Sequence, residues 1–293
     1  MRIVFIGAVE FSRLMLEKLI AMDCSPNAVV TSPDCGFNAD HADVSGLADH
    51  HGISCHVTGD INSQESINWI SAQKPDVIFC FGWSRLLRRP LLDLAPIGVI
   101  GFHPAALPHN RGRHPLIWAL ALGLIETAST FFFMDEGADN GDILSQVKIT
   151  IDPWDDAGSL YNKMVETAVR QLDEFVPALE RGDYQRIPQD HSQANYWRRR
   201  GPRDGEIDWR MAAVSLHNLV RALARPYVGA HFIRNGRSHT VWRSRVVDSI
   251  NPFYLEPGRV IKGGERPLVR CGDGCLELVE VAPAVELQEG EAL

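Results

Sequence analysis

The chain contains no uninterrupted apolar run approaching the roughly 20 residues that a bilayer-spanning helix needs. It opens directly into a hydrophobic strand, with no signal-peptide pattern ahead of it, so a cytoplasmic protein is the expectation. An excess of basic charge is also missing, because 37 acidic against 29 basic side chains leave a formal charge of -8. Affinity for a phosphate backbone comes mostly from Lys and Arg, so this balance argues against a nucleic-acid coat protein while leaving local basic patches open. The six cysteines, Cys24, Cys35, Cys55, Cys80, Cys271 and Cys275, are too scattered for a disulfide framework. Cys271 and Cys275 have no second Cys or His pair near them, and turn chemistry at Gly272 and Gly274 explains their segment. His41, His50, His51 and His56 lack metal-site spacing, so no metal is expected. The G-x-G-x-x-G fingerprint is absent after the first strand, where Gly7 is followed by Ala8, Val9, Glu10 and Phe11, and there is no Walker A pattern. Those two absences argue against a nicotinamide or flavin dinucleotide.

What is present is ordinary globular composition, 45% apolar and 23% charged over 293 residues. That length exceeds a single common domain of about 100–200 residues. The apolar run MRIVFIG reads as a strand and FSRLMLEKLIAM as a helix with Phe11, Leu14, Met15 and Leu19 on one stripe. The alternation continues through NAVVTS, a weaker helix at 42–50, the helix INSQESINWISAQ, the strand DVIFCFG, a short helix at 90–94 and the strand GVIGFH. Such repetition predicts a Rossmann-like, doubly wound α/β sheet covered on both faces. PLIWALALGL then reads as a helix, and STFFFM and ILSQVKITI as strands. A long amphipathic helix follows, with Leu160, Met164, Ala168, Leu172, Phe175 and Leu179 on its core stripe. The polar segment 183–200 suits a linker. After one more helix, VSLHNLVRALA, short strand-like runs separated by turn signals at Asn235-Gly236, Gly263-Gly264 and Gly272-Asp273-Gly274 predict a small β-barrel-like module or open sheet. The boundary is placed near residue 203, giving domains 1–203 and 204–293.

His103 ends the run GVIGFH, and Pro104 prevents the strand from continuing simply. In open α/β sheets ligands bind at the carboxyl ends of strands, and an imidazole there serves as general acid or base. A structural histidine bonded to loop backbone is the alternative, and His109 and His114 are rivals on the same loop. Asp139, in MDEGADNGD after the strand STFFFM, is positioned to reach the same sheet edge and stabilise an imidazolium. By composition alone a turn-forming aspartate before Asn140 and Gly141 is the favoured reading, and Asp135, Glu136 and Asp142 compete for any carboxylate role. Arg111 and Arg113 offer forked donors for carboxylate or phosphate, with solvated surface arginines as the plain alternative. Arg198, Arg199, Arg200 and Arg203 form a second basic patch that suits phosphates or a domain-linking salt-bridge cluster.

The string FHPAALPHNRGRHPLIWAL with the later ADNGDIL resembles the folate-dependent formyltransferases, whose signature is Asn-x-His, then LP, RG and an Asp-bearing ADxG segment. DWRMAAVSLHNLVRALARPYVGAHF and HTVWRSRVV are similar to the carboxyl-terminal module of the sugar-nucleotide branch, as in the formyltransferase domain that modifies UDP-4-amino-4-deoxy-arabinose for lipopolysaccharide. Methionyl-tRNA formyltransferase is a more distant likeness. The resemblance implies N10-formyltetrahydrofolate as co-substrate and a nucleotide-linked amino sugar as acceptor. It places the proton carrier on His103, its carboxylate partner on Asp139, and the folate-contacting positions on Arg85, Leu86, Leu87, Arg113 and the loop Asp135, Glu136, Gly137, Ala138 and Asp139. The family's oxyanion-stabilising Asn falls on Gly101, which has no side chain. The oxyanion role then passes to the Gly101 backbone, protonated His103, water or a residue such as Asn110; without a substitute, a formyl-folate hydrolase or a binding protein is the alternative. No membrane partner is expected, and a homo-oligomer remains open.

Overall fold

The computed structural model describes residues 1–33, 41–247 and 252–293. Cys35 lies outside them. The chain divides into two units, the first comprising residues 1–112, 127–149 and 162–197, the second residues 113–126, 150–161 and 198–293.

The first unit is built on short apolar runs that are buried on both faces, as a central parallel sheet requires. In chain order the opening elements are β1 (Ile3–Ile6), α1 (Glu10–Ala21), β2 (Ala28–Thr31), α2 (Val44–His50), β3 (Ser54–Val57), α3 (Gln64–Ala72), β4 (Val77–Cys80), α4 (Arg89–Leu92) and β5 (Gly98–His103). Then come β6 (Arg111–Gly112), α5 (Pro115–Ala121), β7 (Glu126–Phe133), β8 (Ile143–Thr150), α6 (Ala157–Arg181) and β9 (Tyr196–Trp197). The main sheet runs β3-β2-β1-β4-β5-β7-β8. The pairs β2–β3, β1–β2, β1–β4 and β4–β5 are parallel, whereas β7 returns antiparallel beside β5, with His103 opposite Thr130 and Gly101 opposite Phe132. The doubly wound sheet therefore ends in an antiparallel extension. No strand is expected from the sequence at Ser54–Val57, a polar edge strand with neither face fully buried.

Side chains alternate across each strand, and this sorts the core. Val4, Ile6, Val30, Ile78 and Val99 pack with Ile70 of α3 and with Leu91 and Leu92 of α4. On the other face Phe5, Phe79, Phe81 and Phe131 form an aromatic cluster closed by Phe175 of α6, whose ring lies 4.8 Å from that of Phe131. The predicted stripe on α6 is buried along its length. Strand order reverses around β1, so the crevice of a doubly wound sheet opens where β1 and β4 end. There Ser12 Oγ accepts from the amides of Ala8 and Val9 and donates to the carbonyl oxygen of Phe81 at 2.6 Å. The amides leading into α1, which bind pyrophosphate in dinucleotide folds, are thus engaged by Ser12.

The second unit contains α5, α7 (Ala213–Ala222) and the strands β10 (Ala230–Arg234), β11 (Arg237–Val247), β12 (Val260–Lys262), β13 (Leu268–Arg270) and β14 (Cys275–Ala282). These strands form one antiparallel sheet in the order β10-β11-β14-β13-β12. Leu216, Leu219 and Val220 of α7 are buried where the helix packs on β11 and β14. Unpaired edges invite aggregation, and here both carry backbone bonds. Ile207 donates to the carbonyl oxygen of His231 at 2.7 Å on the β10 side, and Val260 donates to that of Glu291 at 2.8 Å on the β12 side. The CGDGC segment is the turn between β13 and β14, with Cys271 N bonded to Gly274 O at 3.0 Å.

Candidate active site

His103 is the last residue of β5 and only 4% exposed. Its Nε2 lies 2.8 Å from the carbonyl oxygen of Asn110. A carbonyl can only accept, so Nε2 carries the hydrogen and, in the neutral ring, Nδ1 holds the lone pair. Nδ1 stands 3.6 Å from Asp139 Oδ2, beyond a direct hydrogen bond yet close enough to stabilise an imidazolium. The structure thus brings together the two residues singled out from sequence. His109 is exposed, and His114 belongs to the second unit, where burial and the nearby Arg113, Arg199 and Arg200 push its imidazole pKa down.

Asp139 is held from two directions. Its Oδ2 accepts from the Gly112 amide at 2.8 Å, and its carbonyl oxygen accepts from Gln189 Nε2 at 2.9 Å. Gly112 adopts φ +104, and a Cβ there would lie 2.3 Å from the Trp197 carbonyl oxygen, so this close approach requires glycine. Of the competing acids, Asp135 caps its own turn by accepting from the Gly137 amide at 2.9 Å, and Asp142 contributes a backbone carbonyl to the Phe133 amide.

The segment 183–200 is not a free linker. Residues 187–197 strap across the RG loop: Ile187 bridges Ile143, Asn195 brackets Asn110, and β9 pairs parallel with β6. Arg111, read as a surface or ligand arginine, is 1% exposed and turned inward. It donates to Tyr196 Oη at 2.9 Å, to Gln189 Oε1 at 2.6 Å and to His191 Nδ1 at 3.1 Å. Gln189 carries the network onward to the carbonyls of Asp139 and Gly141. No short motif marks Gln189 or Asn195, because their partners lie 48 to 85 residues away in sequence.

Gly101 is buried, and the space its side chain would fill is occupied. A Cβ there would come within 2.8 Å of Met134 Cγ, 2.9 Å of its Sδ and 3.2 Å of Phe132 Cε1. A thioether therefore stands where the signature places a side-chain amide.

Arg85, Leu86 and Leu87 lie between β4 and α4. Asn62 pins this loop, donating to the Leu86 carbonyl oxygen at 3.0 Å and accepting from the Arg88 amide at 2.8 Å, while Arg85 donates to the Gly59 carbonyl. Leu86 is 59% exposed, whereas Leu87 is buried in the core and can offer a ligand only its backbone. Residues 135–139 follow β7 directly, so these two loops issue from strands on either side of β5. Arg113 is the first residue of the second unit, and in that unit Arg198 pairs with Asp204 while Arg200 lies over the Trp118 ring at 4.5 Å.

Residues 1–176 match the formyl transferase family, and residues 201–288 match the formyl transferase C-terminal domain. Among solved structures, the chain resembles HypX from Aquifex aeolicus in complex with tetrahydrofolic acid, with a TM-score of 0.66 and 18% identity. That likeness covers 96% of this chain but 44% of HypX, so the chain spans under half the length of that protein. It also resembles WlaRD, a sugar 3N-formyl transferase determined with dTDP and 5-N-formyl-THF (TM-score 0.71, 15% identity, 97% of this chain and 99% of that one). A third likeness is to an N-formyltransferase from Helicobacter canadensis in complex with folinic acid and dTDP-3-aminofucose (TM-score 0.72, 15% identity, 95% and 98%). At these identities the likeness is one of fold.

Proposed function

The chain belongs to the formyl transferase family, and on that footing we propose that it moves a formyl group from N10-formyltetrahydrofolate to the amine of a nucleotide-linked amino sugar. The observation that carries this reading is the His103–Asp139 pair, 3.6 Å apart at the carboxyl end of β5. Formyl-folate supplies an activated formyl carbon. A neutral amine that adds to it must lose a proton, and His103 takes that proton at Nδ1, the nitrogen its bond to Asn110 leaves free. Asp139 stabilises the imidazolium and is held for that task by the Gly112 amide. His103 then returns the proton to the departing folate nitrogen. The loops 85–87 and 135–139 suit the folate, with backbone groups and the exposed Leu86 side chain available to a flat ring. Residues 1–203 carry the chemistry in this reading, and 204–293 form the smaller module.

Two points support a nucleotide sugar as acceptor. The formyltransferases WlaRD and that of Helicobacter canadensis, whose fold this chain shares over nearly its full length, were determined with dTDP and a dTDP-sugar. The net charge of -8 disfavours a large polyanion such as tRNA. Incubation with N10-formyltetrahydrofolate and a panel of uridine-, guanosine- and thymidine-linked amino sugars is expected to yield a sugar formamide by mass spectrometry. Silence across the panel, with formylation of initiator Met-tRNA instead, refutes the assignment.

A further inference from the structure

Formyl transfer as proposed above builds negative charge on the formyl oxygen when the amine adds. Hydrogen-bond donors aimed at such charge are among the larger contributions to catalysis. At position 101 the structure offers none, because the Met134 thioether occupies that place. We propose that Asn110 supplies the donor through its side-chain amide, an assignment that rests on the transfer reading.

Three features point to Asn110. It adjoins the proton carrier, since its carbonyl oxygen accepts from His103 Nε2 at 2.8 Å. Its amide is also oriented by a chain of hydrogen bonds that leaves no choice of flip. Asn195 Oδ1 accepts from the Asn110 backbone amide at 2.8 Å, which makes the other terminal atom of Asn195 its NH2 group. That group donates to Asn110 Oδ1 at 3.1 Å, so Asn110 Nδ2 is turned away from Asn195. Among the described residues Nδ2 has no hydrogen-bond partner, and both its hydrogens remain free to donate. The third feature is the backbone. Asn110 is held at φ +63, a left-handed conformation that Asn tolerates better than other side-chain-bearing residues. The bond from Arg111 N to Asn195 O at 3.0 Å and the β6–β9 pairing lock that turn in place.

The step balances without a further reactant. The amine lone pair forms the new C–N bond, the carbonyl π pair moves to oxygen, and the amine proton passes to His103. Return of the pair to carbon breaks the bond to the folate nitrogen, which takes the proton from His103. Asn110 is unchanged throughout and donates hydrogen bonds to the oxygen while it bears charge.

The test measures kcat and KM for formamide formation in the native enzyme and in Asn110→Gly, which keeps the carbonyl bonded by His103 and suits the left-handed backbone. The expected result is a fall in kcat of about 100-fold or more, with KM for the sugar nucleotide changed only a few-fold. Asn110→Asp preserves the side-chain volume, replaces the donor by an acceptor and is expected to be at least as slow. Asn195→Ala, which releases the amide orientation but keeps the donor, is expected to fall between the native enzyme and Asn110→Gly. A folded Asn110→Gly or Asn110→Asp enzyme that keeps kcat within about threefold of native overturns the Asn110 assignment alone. A native enzyme that forms no formamide overturns the transfer reading and this assignment together.

Discussion

Replacing Gly101 by asparagine drives a side chain into space that Met134 already fills. The new Cβ would sit 2.8 Å from Met134 Cγ and 2.9 Å from Sδ, both well inside ordinary contact, so the thioether must move or the strand must shift. Overpacking of this kind costs about 1–3 kcal/mol. Met134 is only partly buried against the two core clusters it joins, so Met134→Ala should fall at the lower end for such truncations, about 2 kcal/mol. Because the two substitutions concern the same space, the double variant should recover part of the loss. A coupling of about 1–2 kcal/mol toward stability is expected, against near-additivity within about 0.5 kcal/mol for independent sites. Urea unfolding of the native chain, both single variants and the double variant gives all four corners of the cycle, with an unchanged slope confirming that each unfolds to a comparable state. Additive losses would refute the claim that Met134 holds the place of the missing side chain.

Gln189→Leu keeps the volume but removes one of the three partners of Arg111 and the shared donor to the carbonyls of Asp139 and Gly141. At about 1–3 kcal/mol for each buried group left unpaired, a loss near 3 kcal/mol is expected in urea unfolding, together with a reduced kcat; an unchanged urea midpoint counts against the strap as a structural element. Asp76 is held down at about 2 by hydrogen bonds from the Arg2 guanidinium and backbone amide. Its pKa is lower folded than unfolded, where it is about 4, so its stabilisation is present above that value and lost as pH falls toward the folded pKa. Asp76→Asn should therefore lower the urea midpoint at pH 7 and leave it nearly unchanged near pH 2, and an equal shift at both pH values contradicts the pairing.

The placement of His103 was legible in the sequence for a local reason: it ends an apolar run and is followed by a proline, which fixes it at a strand end. Asp139, by contrast, reads locally as a turn residue and is singled out by the family resemblance. The core was legible through periodicity, as in the α6 stripe, and the short antiparallel strands of the second unit through their turns. The scaffolding of the site was not. Arg111 reads as a surface arginine until β9 covers it, and Gln189, Asn195 and Tyr196 act across separations that carry no local pattern. Polar composition suggested a linker at 183–200, but that polarity serves hydrogen bonds to the RG loop and to the loop bearing Asp139. The consequence of Gly101 was likewise hidden, because only the antiparallel return of β7 beside β5 brings Met134 against it.

Following a labelled formyl group from N10-formyltetrahydrofolate in a single turnover, with an amino-sugar nucleotide present, tests the central claim most directly. Label is expected on the sugar amine with the native enzyme, and His103→Ala is expected to reduce that rate by about 100- to 10,000-fold while folate affinity is largely retained. Label released as formate with no sugar formamide, or full transfer by His103→Ala, would contradict the assignment.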